Sequence, residues 1–266
     1  MSRKKKRVKE EVKEVGQPME ITAGVCPICP GESITTMIYK MQDGATKETT
    51  HWYHCVCGVI WLMDEQKKAV DTYGKDYVAK LLKDKEKYKD NAIYPARVYA
   101  PIIEECTYGR KMLDVGFCSP YLMMEMAARG WVAYGIDVCA EENTPRIIKN
   151  DYETFNFPEV EKYDLIWMGN VLENFTDPLM TLHKTADLLQ PNGLLYISTA
   201  DTSFVYHNGS SGFTHWDRSN YILWSQIKLK TVLESLGFDV ILQRKNHDKR
   251  FTENQTMHLI AQKKYY

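Results

Sequence analysis

Apolar positions are spaced differently in the two halves of the chain. From about residue 107 onward, short and nearly continuous apolar runs at 112–115, 131–136, 147–148, 163–169 and 194–198 are separated by helical patterns or turns. Runs without polar alternation are buried on both faces, and intervening helices supply the cover. The half therefore predicts an α/β, doubly wound, mostly parallel sheet. A helix opens at Tyr121 and stops at Gly130, a second spans 177–189, and a third runs 225–236 between a Ser225 cap and Gly237. Pro191-Asn192-Gly193 reads as a turn, and 238–244 with 256–262 as a closing antiparallel hairpin. Asp151 follows Asp137 by only fourteen positions, with Pro145 between them, so a helix there must be short or missing. In the first half, 34–39 and 47–53 alternate enough to pair around Asp43-Gly44. Residues 63–106 then carry helical spacing (Val70, Tyr73, Tyr77, Leu81), with Pro95 and Pro101 read as breaks.

The ends of the parallel strands collect polar groups. The 112–115 run reaches Asp114 and a turn at Gly116, a helix follows, and the next run ends on Asp137 about twenty residues on, the spacing a nucleotide-binding βαβ unit uses. Asp151 and Asn170 end later strands. A nucleoside-bearing ligand is the first expectation. A carboxylate beside a buried edge is costly without a donor, and the sequence shows no structural partner for these acids, so a ligand is expected to satisfy them.

Charge and cysteines add a second module. The chain of 266 residues has a formal net charge of -1, and its one basic block, RKKKR at 3–7, belongs to a tail at 1–23 that reads as disordered. Without a basic stripe, nucleic acid is an unlikely partner. No apolar run is long enough for a signal peptide or membrane span, so a cytoplasmic protein without a membrane partner is expected. Of seven cysteines, Cys26 and Cys29 form C-P-I-C and Cys55 and Cys57 form C-V-C-G. Two tight turns offering paired thiolates suit tetrahedral Zn2+, which makes 24–62 a zinc ribbon. The second pair is C-x-C rather than C-x-x-C, which leaves His54 or His51 as a substitute ligand. A redox C-x-x-C is disfavoured because no βαβ pattern precedes it. The organisation is then tail 1–23, ribbon 24–62, helical linker 63–106 and α/β domain 107–266.

The order C-P-x-C, C-x-C-G, Y-G-K-D-Y, L-D-V-G, G-I-D, N-D-Y-E, Y-D-L-I, V-L-E-N-F-T-D-P, L-L-Q-P-N-G-L-L-Y-I-S-T and L-E-S-L-G-F covers nearly the whole chain after Gly24. It resembles the zinc-ribbon-containing class I S-adenosylmethionine-dependent methyltransferases, a group that includes enzymes acting on sugars and other small metabolites. The resemblance implies a Rossmann-like seven-stranded sheet with its last strand antiparallel, and methyl transfer from S-adenosylmethionine to a small-molecule, sugar or nucleotide-linked acceptor. Asp114, Gly116 and Cys118 would lie beside the methionine part of the cofactor and Asp137 at the ribose. Asp151 and Tyr152 would meet the adenine, and Asn170, Val171 and Leu172 would lie beneath the sulfonium. His215, in the loop GFTHWD, would be the catalytic base, with Tyr121 and Glu173 as further possibilities. The family turn carries three glycines at alternate positions; here Gly116 remains, with Cys118 and Pro120 in the other two places, and Asn174 replaces a family histidine. These departures leave a degenerate fold kept as a structural or binding subunit as the competing reading, and nucleic-acid methylation as a third. Neither the acceptor nor the oligomeric state is readable from the chain.

Overall fold

The computed structural model describes residues 18–29, 33–42, 49–62, 85–210, 212–217, 219–245 and 255–265. The N-terminal part holds β1 (Pro18–Val25), β2 (Ser33–Gln42), β3 (Thr49–His54) and β4 (Ile60–Leu62), followed by α1 (Lys85–Cys106). The α/β part begins with β5 (Lys111–Val115), α2 (Tyr121–Ala128), β6 (Val132–Ile136), β7 (Ile147–Ile148) and β8 (Tyr163–Gly169). A 3-10 turn (Leu172–Asn174), α3 (Pro178–Leu188), β9 (Leu189–Ala200) and α4 (Ser203–Asn208) come next. The chain closes with β10 (Ile222–Leu223), α5 (Gln226–Ser235), β11 (Phe238–Lys245) and β12 (Thr256–Lys263).

The larger sheet has seven strands in the order β11-β12-β9-β8-β5-β6-β7. Strands β5 to β9 run parallel, and β12 is antiparallel to both of its neighbours. The apolar runs explain this, because each face is covered: Ala96, Tyr99, Ala100 and Ile103 of α1 pack on Met112, Leu165 and Tyr196, while Leu182, Leu229 and Leu233 pack with Leu113, Ile166 and Ile197. Helix ends follow local chemistry. Asp177 accepts the Met180 N–H at 3.0 Å, Ser225 accepts the Lys228 N–H at 3.3 Å, and Gly237 (φ 84) takes the left-handed conformation that ends α5. Residues 137–146 form turns and bends rather than a helix.

Three expectations are corrected. The tail drawn to residue 23 ends earlier, because β1 starts at Pro18 and pairs with β2; residues 1–17 lie outside the described residues. So do 63–84 of the helical linker and the Asp43-Gly44 turn, although β2 and β3 pair antiparallel from Met37↔His54 to Gln42↔Thr49. Helix α1 runs through both Pro95 and Pro101 rather than breaking; its stripe of buried Ile93, Ala96, Tyr99 and Ile103 outweighs the two missing N–H groups. The Pro191-Gly193 turn is a bulge within β9, where the pairing to β8 jumps from Leu189 to Leu194.

The ribbon is not a separate bead. Its sheet has five strands in the order β1-β2-β3-β4-β10, so the last strand comes from the α/β part, pairing Ile222 with Trp61 and Leu223 with Ile60. Ser225 Oγ donates to the Cys57 carbonyl at 2.9 Å and Thr202 Oγ1 to the Gly58 carbonyl at 2.5 Å. One buried cluster contains Cys26, Cys55, Val59 and Trp61 together with Leu182, Leu229 and Leu233. Trp52, fully buried, stacks edge-on against Trp216 at 5.5 Å between ring centroids. Trp52→Ala is expected to cost about 3–5 kcal/mol. Because the core is shared, tryptophan fluorescence and far-UV circular dichroism should report one coincident urea transition; two separated transitions would contradict the shared core.

Candidate functional site

The carboxyl ends of β5, β6, β7 and β8 open into a cavity of about 680 Å³. The loop after β5 forms its floor. Gly116 is at φ 69, and a Cβ there would stand 2.6 Å from Val171 Cγ2, so only glycine fits this turn. Cys118 also takes a left-handed conformation (φ 49), as a glycine would, at a cost of about 1–2 kcal/mol. Asp137 holds the loop. Its Oδ2 accepts the Cys118 N–H at 2.8 Å and its Oδ1 accepts the Cys139 N–H at 2.6 Å. Asp151 likewise accepts the Glu153 N–H at 2.8 Å. These two acids thus have structural work, contrary to the expectation that only a ligand would satisfy them. Asp114 differs. It is buried and its Oδ2 has no hydrogen-bond partner among the described residues; burial, then the nearby Asp137 carboxylate, pushes its acidity well above the usual carboxylate range.

Asp114, Gly116, Cys118, Asp137, Asp151, Tyr152, Asn170 and Val171 all line the cavity. Leu172 does not. It is fully buried in the core, because a 3-10 turn advances about 120° per residue and carries Leu172 away from the face Val171 presents. His215 is also off the wall: its ring packs on Phe213 at 5.2 Å, its Nε2 has no hydrogen-bond partner among the described residues, and burial lowers its pKa to about 4. Its segment stands on the ribbon, with Trp216 against Tyr39 and Trp52. Tyr121 lines the cavity, whereas Glu173 lies behind it. The cavity also takes in Asn174, noted above as standing in place of a family histidine, and Glu141, Glu142, Ser219 and Tyr221, for which the motifs suggest no role. The acids Glu141-Glu142 shortly after Asp137 were a visible signal; Tyr221 reaches the wall only through pairing with the ribbon, which no local pattern announces. With Asp137, Asp151 and Glu153 these acids give a carboxylate-rich wall, joined by the buried Asp114 carboxyl whose proton burial favours, and none of the described lining residues is Lys or Arg. Such a wall attracts cations and repels phosphates.

The second cluster is built from the two knuckles. The Sγ atoms of Cys26, Cys29, Cys55 and Cys57 lie within 4.8 Å of one another, and Cys26 and Cys57 are 3.9 Å apart. Zinc–sulfur bonds of about 2.3 Å in a tetrahedron put sulfurs about 3.8 Å apart, so the set fits Zn2+. The Cys57 thiol beside Cys26 holds the Cys26 thiol down to about 5 against the effect of burial. His54 is not needed as a ligand: its Nδ1 bonds the Tyr39 hydroxyl at 3.1 Å. Neither His54 nor His51 belongs to the cluster.

A family model described as methyltransferase domain matches residues 75–243, more than half of the chain. The chain belongs to the methyltransferase-domain family. Among curated proteins, the chain is similar to ubiquinone biosynthesis O-methyltransferase of Histophilus somni, 32% identical over 111 residues, which are 36% of this chain and 47% of that protein. The enzyme of the same name from Actinobacillus pleuropneumoniae is 32% identical over 108 residues, 35% of this chain and 46% of that protein. The chain spans about half the length of the curated relatives it matches. Two solved structures share the fold. A chain of the complex between the Haloferax volcanii Trm112 methyltransferase activator and a methyltransferase has TM-score 0.56 and 14% identity, covering 74% of this chain and 99% of that one. Plantazolicin methyltransferase in complex with SAH has TM-score 0.55 and 14% identity, covering 76% and 95%.

Behind the cavity of the methyltransferase domain, Glu173 couples its fold to pH. Its Oε2 accepts the Thr199 hydroxyl at 2.7 Å, and burial raises its pKa from 4.5 to about 7 although that hydrogen bond opposes the shift. The folded chain binds this proton more tightly than the unfolded one. The associated stability is therefore fully present below about pH 4.5 and is lost as pH rises through about 7. Glu173→Gln should stabilise the protein by on the order of 1–3 kcal/mol at pH 8, change it little at pH 4, and flatten urea-denaturation stability between them. Unaltered pH dependence in the variant would place the titration elsewhere.

Proposed function

We propose that the chain is a zinc-containing, S-adenosylmethionine-dependent methyltransferase acting on an uncharged small molecule. The observation that carries it is the acid-lined cavity of about 680 Å³ at the strand ends, floored by the Gly116 turn and holding an unsatisfied Asp114 oxygen. Phe117, Cys118 and Pro120 border that space without filling it, which speaks against a degenerate, closed fold. When bound, S-adenosylmethionine supplies an electrophilic methyl group on a sulfonium. The residues hold and exclude: Asp137 keeps an acceptor capacity for ribose hydroxyls beyond the two N–H groups it already binds, and Asp151 with Tyr152 bounds the adenine side. Gly116 gives close backbone approach, and Asn170 and Val171 close the sulfonium end. In-line displacement needs alignment and dryness more than acid–base help. The wall also offers Tyr121, Trp167, Ser198 and Tyr221 among its described residues, neutral groups that suit an uncharged ring better than a nucleotide-linked or polynucleotide acceptor. The names of the curated relatives support oxygen as the accepting atom. His215, packed on Phe213 off the cavity wall, has no part in the transfer; a cytoplasmic setting belongs to the same reading, and no described helix is long and apolar enough to cross a membrane.

Calorimetric titration with S-adenosylhomocysteine tests the reading. Binding at a single site is expected, and Asp137→Asn should weaken it at least about tenfold, since a charge-assisted hydrogen bond is worth roughly 1.5–3 kcal/mol. No binding at millimolar ligand would sink the proposal. Elemental analysis should find one zinc per chain, released on replacing Cys55 or Cys57; a metal-free, folded protein would remove zinc from it.

A further inference from the structure

Tyr221 sits where three parts of the molecule meet. Its ring is buried and forms part of the cavity wall. Its carbonyl accepts the N–H of Leu62, the last residue of β4, at 3.0 Å, and its own N–H donates to the Glu173 carbonyl at 2.7 Å. The next residues, Ile222 and Leu223, pair with Trp61 and Ile60. Strand β4 in turn leaves the cysteine knuckle directly. Gly58 N–H closes on the Cys55 carbonyl and Cys55 N–H on the Val59 carbonyl, both at 2.9 Å. A peptide ladder of a few residues therefore connects the four sulfurs to the cavity. Burial pushes the Tyr221 phenol up, and the Glu153 carboxylate adds to it, so the ring meets the cavity as a neutral phenol.

We infer that Tyr221 is a positioning residue through which metal loading of Cys26, Cys29, Cys55 and Cys57 is coupled to occupancy of the cavity. Four thiolates on one ion fix the knuckle; without the ion the sulfurs hold one another only by weak thiol contacts, and Tyr221 keeps one firm backbone anchor, at Glu173, in place of two. The inference rests on the proposed donor reading for its choice of probe. Coupling of this kind is reciprocal, so it is measurable from either end.

The test uses the full-length chain. S-adenosylhomocysteine is titrated into zinc-loaded and chelator-stripped protein whose fold is followed by far-UV circular dichroism, and zinc affinity is measured by competition with a chromogenic chelator with and without saturating S-adenosylhomocysteine. Stripping should weaken S-adenosylhomocysteine binding about tenfold, and S-adenosylhomocysteine should tighten zinc by the same factor. The second arm starts from loaded, folded protein and decides the matter if the stripped chain unfolds. Tyr221→Phe should keep the coupling, whereas Tyr221→Ala should keep its zinc and reduce the coupling to less than about twofold. Zinc affinity indifferent to S-adenosylhomocysteine, or full coupling in Tyr221→Ala, would overturn the inference. Loaded wild type that binds no S-adenosylhomocysteine at all strikes the donor reading, whereas binding that ignores zinc strikes only the coupling.

Discussion

The seam between β4 and β10 is the constraint on which the rest of the molecule depends. Two residue pairs and one further N–H to carbonyl bond join a cysteine-rich sheet to the α/β unit, and side-chain bonds from Thr202 and Ser225 lock the knuckle carbonyls to the same place. A buried hydrogen bond contributes little net stability, but leaving its groups unpaired is expensive, so such a seam resists opening one bond at a time. The apolar groups behind it, Trp61, Val59, Leu229 and Leu233, remain dry only while it is closed.

At the carboxyl ends of the seven-stranded sheet, a single carboxylate does two things. Asp137 accepts N–H groups from the loops after β5 and β6, drawing together the two segments that bound the cavity floor. With both loops pinned, Cys118 is held in a left-handed conformation at the cavity floor, which stays open.

Much of this was legible in the sequence. Unbroken apolar runs gave the parallel strands, Asp177, Ser225 and Gly237 marked helix ends, and the spacing of Gly116 to Asp137 located the loop and acid that line the cavity. What escaped notice depends on contacts distant in sequence. Nothing near Ile222 says that two residues will complete the ribbon sheet, and nothing near Tyr221 says that Leu62 will hold it. Local propensity around Pro95 and Pro101 points to a break, because it does not include the sheet face that binds the apolar stripe of the helix. His215 and Leu172 were read from motif position, which does not reveal the direction of a side chain.

The missing cations in the described cavity wall carry a consequence for how an occupant leaves. Carboxylates at this density attract a positive centre through low-dielectric surroundings, and that attraction vanishes as soon as the centre becomes neutral. An occupant that enters charged and ends uncharged is gripped on arrival and loosened by its own transformation. The wall thus ranks occupants by charge, favouring a positive one over its neutral counterpart with no moving part required.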